Sequence, residues 1–406
     1  MRCMGKYDMN KQTMGIYIHI PFCIKKCEYC DFLSGVGTIN EMTSYVNALI
    51  IEIRSYARKK YPVSSIFFGG GTPSIIEVTH IISIMNAVWD TFIIEESAEI
   101  TLEANPGTLT REKIRGYREA GINRISLGLQ STDNEELKAL GRIHSYEEFL
   151  ESYKIIRQEG LCNVNIDLMS GLPLQSVASW ENTLRRVVVL KPEHIAAYGL
   201  IIEEGTPFFG IYAEDDKKRD AGEVTKYLPC EADEREMYHL TKKILKENGY
   251  ERYEISNYAK KGYECRHNIG YWRRSNYIGF GNGSSSMMDN VRFANQSDIH
   301  LYIEGKGMQS SENGLSVRAG EQLLPKEEKL SVKEQMEEFL FLGLRMMEGI
   351  HIGEFERKFQ VSFQDMYKAV VDNLVNKGLI TVVEQRIRLT DAGIDISNYV
   401  LVQFLL

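Results

Sequence analysis

The sequence predicts an α/β protein, a partial (β/α)6 barrel followed by a small, mainly helical, winged-helix-like domain. Two observations lead to this fold class. Buried strand-like segments alternate about six times with helix-like segments, and glycine or polar residues follow nearly every strand. Connections of this length require parallel strands and right-handed crossovers, which leaves an open doubly wound sheet or a barrel, complete or partial. Six strand–helix units fit a partial barrel.

Each predicted strand is a short run of apolar or β-branched residues, the composition of a buried parallel strand. These strands cover Ile16–Ile20, Ser65–Phe68, Glu99–Leu102, Arg124–Leu129, Val164–Leu168 and His194–Tyr198. The helices between them cover Glu41–Arg58, Glu77–Val88, Arg111–Ala120, Tyr146–Gln158 and Ser179–Val189. Because such folds build their sites where the strands end, the polar groups there predict a site spread along the whole domain.

The alternation ends near residue 210, and the rest of the chain falls into two parts. Residues 211–325 contain a charged segment, an amphipathic helix near Ala232–Lys246 and a loop rich in Tyr, Asn and Gly, which predicts a connecting or lid region. Residues 326–406 show helix-like patterns and then a short hairpin, the order typical of a winged helix. The predicted domains are therefore 1–210, 211–325 and 326–406.

Composition and charge argue against several kinds of partner. Hydrophobic residues make up 43% and charged residues 26% of the 406 residues, the balance of a folded protein. The formal net charge is −8 and the acidic residues are spread along the chain, so we expect no nucleic acid partner. No apolar run approaches the roughly 18 residues of a membrane span, and no apolar signal segment is present. We therefore expect a cytoplasmic protein without a transmembrane segment.

Three of the seven cysteines form a motif directly after the first predicted strand. Cys23, Cys27 and Cys30 are spaced as CxxxCxxC in the segment YIHIPFCIKKCEYCDF. An odd number of cysteines without an export signal predicts reduced thiols. A structural zinc site needs four ligands, and no second CxxC or HxxxH accompanies this motif. Three thiolates suit a 4Fe-4S cluster with one iron open to an outside ligand, with zinc or free thiols as the alternative.

The CxxxCxxC motif after a first strand resembles the radical-SAM superfamily, in which S-adenosyl-L-methionine occupies the open iron of the 4Fe-4S cluster. GGGTP at 69–73 resembles the motif that follows the second strand in that superfamily. Its glycines allow a close approach of the backbone to a ligand. The resemblance implies a TIM-like partial barrel of the radical-SAM type. It also implies that Gly70, Gly71 and Thr72 take the amino group of S-adenosylmethionine.

Further segments extend the resemblance to nearly the entire chain. They are LEANPGTLT at 102–110, GINRISLGLQS at 121–131, LGRIHS at 140–145, DLMSGLP at 167–173 and YGLIIEEGTP at 198–207. Together these segments resemble the oxygen-independent coproporphyrinogen III oxidase family. The C-terminal part of the chain is included in the resemblance.

This family resemblance implies a set of side chains around S-adenosylmethionine. The set comprises Tyr17 and Tyr29 beside the cofactor, Glu103 at its charged amino-acid part, and Gln130, Arg142 and Asp167 at its polar groups. A zwitterion with two ribose hydroxyls needs carboxylates and an arginine of this kind. Taken singly, Glu103, Gln130 and Asp167 are also ordinary residues of strand ends and helix caps.

Two features separate this chain from the oxidases of that family. Those oxidases carry a further cysteine two residues beyond the third cluster ligand, and a longer segment before the cluster loop. Here Phe32 stands at that position and only 22 residues precede Cys23. The pattern CxxxCxxCDF is similar to the heme chaperones of the same family. The resemblance implies a carrier that binds heme or a related porphyrin and passes heme to an acceptor protein of unknown identity.

Two other activities stay open at this point. One is oxygen-independent coproporphyrinogen III oxidase, which converts coproporphyrinogen III to protoporphyrinogen IX by two oxidative decarboxylations. The other is a radical enzyme that acts on heme itself. The chain is therefore either a carrier or an enzyme on a radical-SAM scaffold.

The segment CRHNIGYWRRSNYIGFGNGSSS at 265–286 contains the HNxxYW motif associated with heme in the chaperone subgroup. The resemblance implies that His267 is an axial heme ligand, since imidazole is a standard ligand of heme iron. A single histidine in a polar loop is more often only hydrogen-bonded. Cys265 lacks the CxxCH pattern of covalent heme attachment. The remaining cysteines are interpreted as incidental or buried thiols: Cys3, Cys162 and Cys230.

Overall fold

The computed structural model describes residues 13–56, 62–305 and 327–405. Cys3, and the predicted end of the first helix at Arg58, lie outside these ranges. Six parallel strands lie side by side in their chain order at the centre of the sheet. These strands are β1 (Met14–Ile20), β2 (Val63–Gly70), β3 (Ile94–Ala104), β4 (Arg124–Gln130), β5 (Asn163–Ser170) and β6 (His194–Gly199).

Helices connect the consecutive strands of this sheet. They are α1 (Ile39–Ser55), α2 (Val78–Thr91), α3 (Arg111–Glu119), α4 (Asn134–Ala139), α5 (Tyr146–Gln158) and α6 (Val177–Val189). A doubly wound sheet would reverse its strand order partway along, whereas this order runs in one direction from β1 to β6. The predicted partial barrel is therefore confirmed.

The helices of the barrel begin where the sequence supplies capping residues. Thr38 caps α1 and exchanges hydrogen bonds with Glu41, and Ser145 and Glu148 do the same at α5. Such capping boxes satisfy backbone N–H groups that have no partner inside the helix. The capped starts fix where the chain leaves each strand end and turns into the following helix.

The strands of the barrel separate apolar from polar side chains with a period of two. On β5, Val164, Ile166 and Leu168 belong to the apolar core shared with the surrounding helices. Asn165 and Asp167 point to the opposite face, where both hydrogen bond to Ser126 of β4. One face of the sheet is thus the hydrophobic core, and the other is a polar barrel interior that can hold a site.

The region predicted as a connecting or lid segment contributes strands to both edges of this sheet. Its helices are α7 (Pro207–Asp220), α8 (Glu231–Glu247), α9 (Arg266–Trp272) and α10 (Ile299–Ile303). Its strands are β7 (Glu251–Arg252), β8 (Asn257–Ala259), β9 (Asn276–Phe280), β10 (Ser285–Met288) and β11 (Val291–Ala294). Strand β8 pairs antiparallel with β6, and β9 pairs parallel with β1. The domain limits at 210 and 325 stay a prediction.

The last part of the described chain is a small domain with its own apolar core. After the short strand β12 (Glu328–Lys329), which pairs with β11, its helices are α11 (Val332–Gly343), α12 (Ile352–Phe359), α13 (Phe363–Asn376), α14 (Asp391–Asp395) and α15 (Ser397–Val402). Its three-stranded sheet consists of β13 (Ile350–His351), β14 (Ile380–Val383) and β15 (Arg386–Leu389). Three helices followed by a hairpin form the predicted winged-helix-like arrangement.

A partly buried ion-pair group joins this small domain to the sheet. Glu338 of α11 accepts a hydrogen bond from the buried Arg274 at 2.7 Å and forms an ion pair with the half-exposed Arg292 at 2.5 Å. A carboxylate between two guanidinium groups is well satisfied away from water.

Among the helices of the described ranges, none is long and apolar enough to cross a membrane.

Candidate functional site

The carboxyl ends of the parallel strands open into a cavity of about 380 Å³. Eleven of the thirteen predicted site residues line this cavity. They are Cys23, Cys27, Tyr29, Cys30, Gly70, Gly71, Thr72, Glu103, Gln130, Arg142 and Asp167. Tyr17 and His267 do not line it. The parallel strands thus bring together residues that are distant in sequence, as expected for this fold class.

The cysteine loop is held at its base by backbone hydrogen bonds. The N–H of Cys23 donates to the carbonyl of Gly35 at 2.8 Å. From the neighbouring β2 end, the N–H of Gly71 donates to Ile20 at 2.8 Å, and that of Thr72 donates to Phe22 at 2.7 Å. These hydrogen bonds therefore fix the start of the cysteine loop against the ends of β1 and β2.

Two of the thiols accept hydrogen bonds from predicted site residues. The Thr72 hydroxyl donates to Cys23 Sγ and the Arg142 guanidinium donates to Cys27 Sγ, both at 3.6 Å. Donors of this kind stabilise thiolates and tune the potential of bound clusters. Burial raises the pKa of the Cys30 thiol, and the nearby Cys27 raises it further.

The three cysteines surround a common space without forming a tight single-metal site. In the part of the chain that the structure describes, no three His, Cys, Asp or Glu side chains are close enough to hold one metal ion. All three thiols nevertheless face the same cavity. The set supplies soft sulfur ligands, the kind that iron–sulfur clusters take.

The glycines of the GGGTP segment are required by the packing of the cysteine loop. Gly70 has a φ of 110°, and a Cβ there would lie 2.5 Å from the His19 ring. A Cβ on Gly71 would lie 2.6 Å from the carbonyl oxygen of Phe22. The N–H groups of Gly71 and Thr72 already donate to the end of β1 and its loop, whereas an amino group would need carbonyl oxygens. The glycines therefore support the cysteine loop, and contact of Gly70, Gly71 and Thr72 with the amino group stays a prediction.

Two acidic side chains face the cavity from neighbouring parts of the barrel. Burial, reinforced by the negative charge of Asp167, raises the pKa of Glu103 to about 8. Burial also raises the pKa of Asp167, although Asn165 and Ser126 donate to its carboxylate at 2.7 and 3.0 Å. In this enclosed site each carboxylate disfavours ionisation of the other. A cationic group bound near them would stabilise their negative charges, so the pair suits a cationic ligand.

Arg142 lies between the cysteine loop and the end of β4. Its Nη2 donates to Asn105 at 2.9 Å and to the Gly128 carbonyl at 2.7 Å. Its Nε is buried and has no hydrogen-bond partner among the described residues. A buried guanidinium with a spare donor suits a carboxylate ligand.

Asn105 is a further residue of the site, beyond those predicted from the sequence. Its side chain donates to Thr72 at 3.0 Å and accepts from Arg142, so it connects the two donors that reach the cysteines. It lies two residues after Glu103. Because side chains two apart in a strand share a face, that spacing could have identified it.

The two predicted tyrosines differ in position. Tyr29 lines the cavity, and its ring lies 6.2 Å from that of Phe208. Tyr17 lies inside the barrel, where its hydroxyl is 3.1 Å from His19 Nδ1 and its ring stacks on Phe67. Tyr29 can therefore touch a ligand in the cavity directly, whereas Tyr17 supports the ends of β1 and β2.

His267 lies inside the barrel near the amino ends of β1 and β2, away from the cysteines. Its ring is 4% exposed, with Nδ1 at 3.0 Å from Ser65 Oγ and Nε2 at 2.9 Å from the Tyr271 hydroxyl. Burial, together with Arg124, lowers the pKa of His267 to about 3. Both ring nitrogens are engaged, so heme ligation by His267 would require these hydrogen bonds to break.

Cys265 is also enclosed in this part of the barrel. Its thiol is fully buried and lies 3.5 Å from the Glu99 carboxylate. Burial and that neighbouring acid raise the pKa of Cys265 to about 12. The thiol stays protonated at neutral pH, which is unfavourable for a thiolate ligand.

Comparison with known families divides the chain into two matched segments. Residues 17–187 match the family described as the Radical SAM superfamily. Residues 330–396 match the family described as the HemN C-terminal domain. The first segment covers strands β1 to β5 of the barrel and most of α6, and the second covers most of the winged-helix-like domain. A radical SAM domain implies a 4Fe-4S cluster and S-adenosylmethionine.

Among solved structures, the fold is similar to that of "Coproporphyrinogen III oxidase (HemN) from Escherichia coli". The TM-score is 0.78 over 97% of this chain and 90% of that one, at 23% identity. At that identity the likeness concerns the fold alone.

Curated relatives match over nearly the full length. The proteins named heme chaperone HemW from Lactococcus lactis and Bacillus subtilis are 35% and 33% identical, covering 98% and 96% of this chain and 99% and 98% of their own lengths. The Escherichia coli protein of that name is 38% identical over 67% of this chain and 69% of its own. The chain belongs to the radical SAM superfamily and, within it, to the family of the HemW proteins.

Proposed function

We propose that this chain is a heme chaperone, which binds heme and delivers it to an acceptor protein while it holds a 4Fe-4S cluster with S-adenosylmethionine. The observation that carries the proposal is the near full-length match to relatives named heme chaperone at 33–35% identity. The reduced thiols of the cluster loop suit the cytoplasm, where we expect the protein to work.

The residues around the cavity are suited to the two cofactors. Cys23, Cys27 and Cys30 hold three irons, and S-adenosylmethionine takes the fourth. Arg142 meets the cofactor's carboxylate, and Glu103 meets its ammonium. When bound, the cluster supplies the single electron that cleaves S-adenosylmethionine.

The remaining predicted contacts complete the pocket around the adenosine part. Asp167 and Gln130 line the cavity from β5 and the end of β4, and their polar groups would bind the ribose hydroxyls. Gly70 and Gly71 also line the cavity, and together with Thr72 they would contact the amino group of the cofactor. Tyr29 closes the pocket on the side of the cysteine loop.

The proton on Glu103 predicts how S-adenosylmethionine affinity depends on pH. With a pKa of about 8, Glu103 is mostly neutral at pH 7 and must lose its proton to pair with an ammonium group. We therefore expect the affinity to rise between about pH 6 and about pH 8, by up to about tenfold per pH unit. Anaerobic equilibrium dialysis of the cluster-loaded protein against S-adenosylmethionine measures this affinity at each pH.

The matched control for this prediction is Glu103→Gln, which keeps the shape but cannot ionise. We expect weaker binding and a flatter pH profile in this variant. If the affinity of Glu103→Gln for S-adenosylmethionine kept the steep pH dependence of wild type, the titrating group would be a residue other than Glu103. Asp167 would be the first candidate.

Phe32 supports a carrier over an oxidase. Its side chain is 62% exposed at the mouth of the cavity, and its carbonyl accepts a hydrogen bond from Lys26 at 2.9 Å. A phenyl ring can neither bind iron nor transfer a proton. The similar oxidases carry a cysteine at this position, so the chain lacks a reactive group where they have one.

A turnover assay separates the two activities. Cluster-loaded protein is given S-adenosylmethionine, a reductant and coproporphyrinogen III under anaerobic conditions, and porphyrin products and 5'-deoxyadenosine are measured. We expect no protoporphyrinogen IX. Its formation over many turnovers would make the chain an oxidase. Stoichiometric 5'-deoxyadenosine with heme as the added ligand would instead indicate an enzyme that acts on heme.

A further inference from the structure

Three polar side chains lie side by side inside the barrel, next to Asp167 of the cofactor cavity. Ser126 of β4, Asn165 of β5 and His194 of β6 are register partners across the three strands. Their exposed fractions are 5%, 2% and 1%, so the row is closed to water. Asn165 precedes Asp167 by two residues on β5, and the two side chains therefore share a face of the sheet.

The amide of Asn165 holds the Asp167 carboxylate in place. Its Nδ2 donates to Asp167 Oδ1 and to Ser126 Oγ, both at 2.7 Å. The Ser126 hydroxyl donates in turn to Asp167 Oδ2 at 3.0 Å. Each carboxylate oxygen thus accepts one hydrogen bond and keeps a second lone pair for another donor. The two remaining acceptor positions suit a pair of neighbouring hydroxyl groups.

Tyr253 determines which nitrogen of His194 carries the proton. The N–H of Cys265 donates to the Tyr253 hydroxyl oxygen at 3.2 Å, so the hydroxyl proton is available for His194 Nε2, 2.8 Å away. Burial, together with the nearby Arg124, lowers the pKa of His194 well below its usual value, so the ring is neutral. A neutral ring that accepts at Nε2 carries its proton on Nδ1.

His194 in turn determines which way the Asn165 amide faces. Its Nδ1 lies 2.6 Å from Asn165 Oδ1, and the oxygen is the only end of the amide that can accept this proton. An amide rotated by half a turn would set Nδ2 against the Nδ1–H and Oδ1 against the Asp167 carboxylate. Both pairings leave buried polar groups without a partner, which is costly. His194 therefore disfavours the rotated amide.

We infer that His194 is a positioning residue of the S-adenosylmethionine site, which acts through Asn165 to orient Asp167 toward the ribose hydroxyls. This inference rests on the proposed function, in which Asp167 binds the ribose. Without the Nδ1–H of His194, the amide can rotate and its oxygen then repels the carboxylate. Burial already raises the pKa of Asp167, so loss of the Asn165 hydrogen bond also favours the neutral acid. Either change removes an acceptor for a ribose hydroxyl.

Two substitutions at His194 test this role, because each keeps one half of the imidazole. His194→Gln places its amide near the position of Nε2 and leaves no donor at Nδ1, whereas His194→Asn keeps an N–H near Nδ1. Anaerobic equilibrium dialysis of the cluster-loaded proteins measures the affinity for S-adenosylmethionine and for its 2'-deoxy and 3'-deoxy analogues. The matched control is His239→Ala, which removes a half-exposed histidine of α8 that does not line the cavity.

The expected result is a loss of preference for the ribose hydroxyls. We expect wild type and His239→Ala to bind at least one deoxy analogue about tenfold more weakly than S-adenosylmethionine, as for a hydrogen bond to a charged group. In His194→Gln this preference should fall to about threefold or less, and His194→Asn should restore most of it. A structural role alone would weaken binding of all three ligands by the same factor and leave the preference unchanged.

A further variant tests whether His194 acts through Asn165. Asn165→Ala should lower the preference as well, and adding His194→Gln to it should have no further effect. A preference in His194→Gln equal to that of wild type would overturn the inference, and so would equal binding of the three ligands by wild type. Absence of S-adenosylmethionine binding to cluster-loaded wild type would contradict the proposed function, and this inference with it.

Discussion

Replacing Cys27 by alanine is expected to abolish loading of the 4Fe-4S cluster. In the proposed site each of the three thiolates would hold a different iron, so two remaining ligands would leave the cluster open to solvent and loss. The change also removes the sulfur that accepts a hydrogen bond from Arg142, which leaves a buried guanidinium with one partner fewer. Iron and sulfide content after anaerobic reconstitution, with the cluster's absorption and Mössbauer spectra, measures the effect.

Cys162→Ala is the matched control for this variant. Cys162 is exposed in the loop before β5 and lies outside the cavity. We expect full cluster content in this variant, about four irons per chain as for any 4Fe-4S site. Wild-type iron content in Cys27→Ala would remove Cys27 from the ligand set and contradict the assigned cluster loop.

Replacing Gly71 by alanine is the second change expected to have a large effect, although Gly71 itself binds no iron. The added Cβ would lie 2.6 Å from the Phe22 carbonyl oxygen, a backbone atom that cannot rotate away. The ends of β1 and β2 must separate, which strains the hydrogen bonds that fix the cysteine loop. We expect about 2 kcal/mol or more of destabilisation and a cluster that loads poorly.

Gly210→Ala provides the matched control for Gly71→Ala. Gly210 lies within α7, and a Cβ there meets nothing within 4 Å. Alanine is favoured over glycine by about 1 kcal/mol inside a helix, so this variant should be as stable as wild type or more so. Denaturant unfolding and iron content measure both variants. Full cluster content and unchanged stability in Gly71→Ala would contradict this prediction, because the cysteine loop would then tolerate separation of the ends of β1 and β2.

The six barrel strands and the cysteine motif could be predicted from local patterns in the sequence, whereas the other site residues were implied by the family resemblance. Short β-branched runs identify buried strands wherever they occur, and the ends of parallel strands always meet at one edge of the barrel. Residues as distant as Cys23 and Asp167 therefore line one cavity. The charged run after residue 210 was not recognised as the second half of α7, since it lacks an apolar stripe.

The edge strands could not be predicted because they depend on tertiary pairing. Strands β7 and β12 have only two residues each, and β9 is fixed by its parallel pairing with the neighbouring β1. Such short segments have no periodic pattern of their own. The region from 211 to 325 consequently looked like a connection, while the structure uses it to extend both edges of the sheet.

The environments of the histidines also depend on tertiary structure. His267 lies in a segment rich in polar residues and glycine, which suggests an open loop, yet α9 packs against β1 and β2 and buries the imidazole. Burial of a single side chain is decided by what packs over it, which no local pattern records.

The measurement that most directly tests the central claim is an anaerobic heme titration of the cluster-loaded wild-type protein. Heme-dependent absorption is followed to saturation, with and without S-adenosylmethionine, and the heme, iron and protein contents are then determined. The account predicts saturable binding of one heme per chain with the cluster retained. Absence of saturable heme binding by protein that carries a full cluster would contradict it.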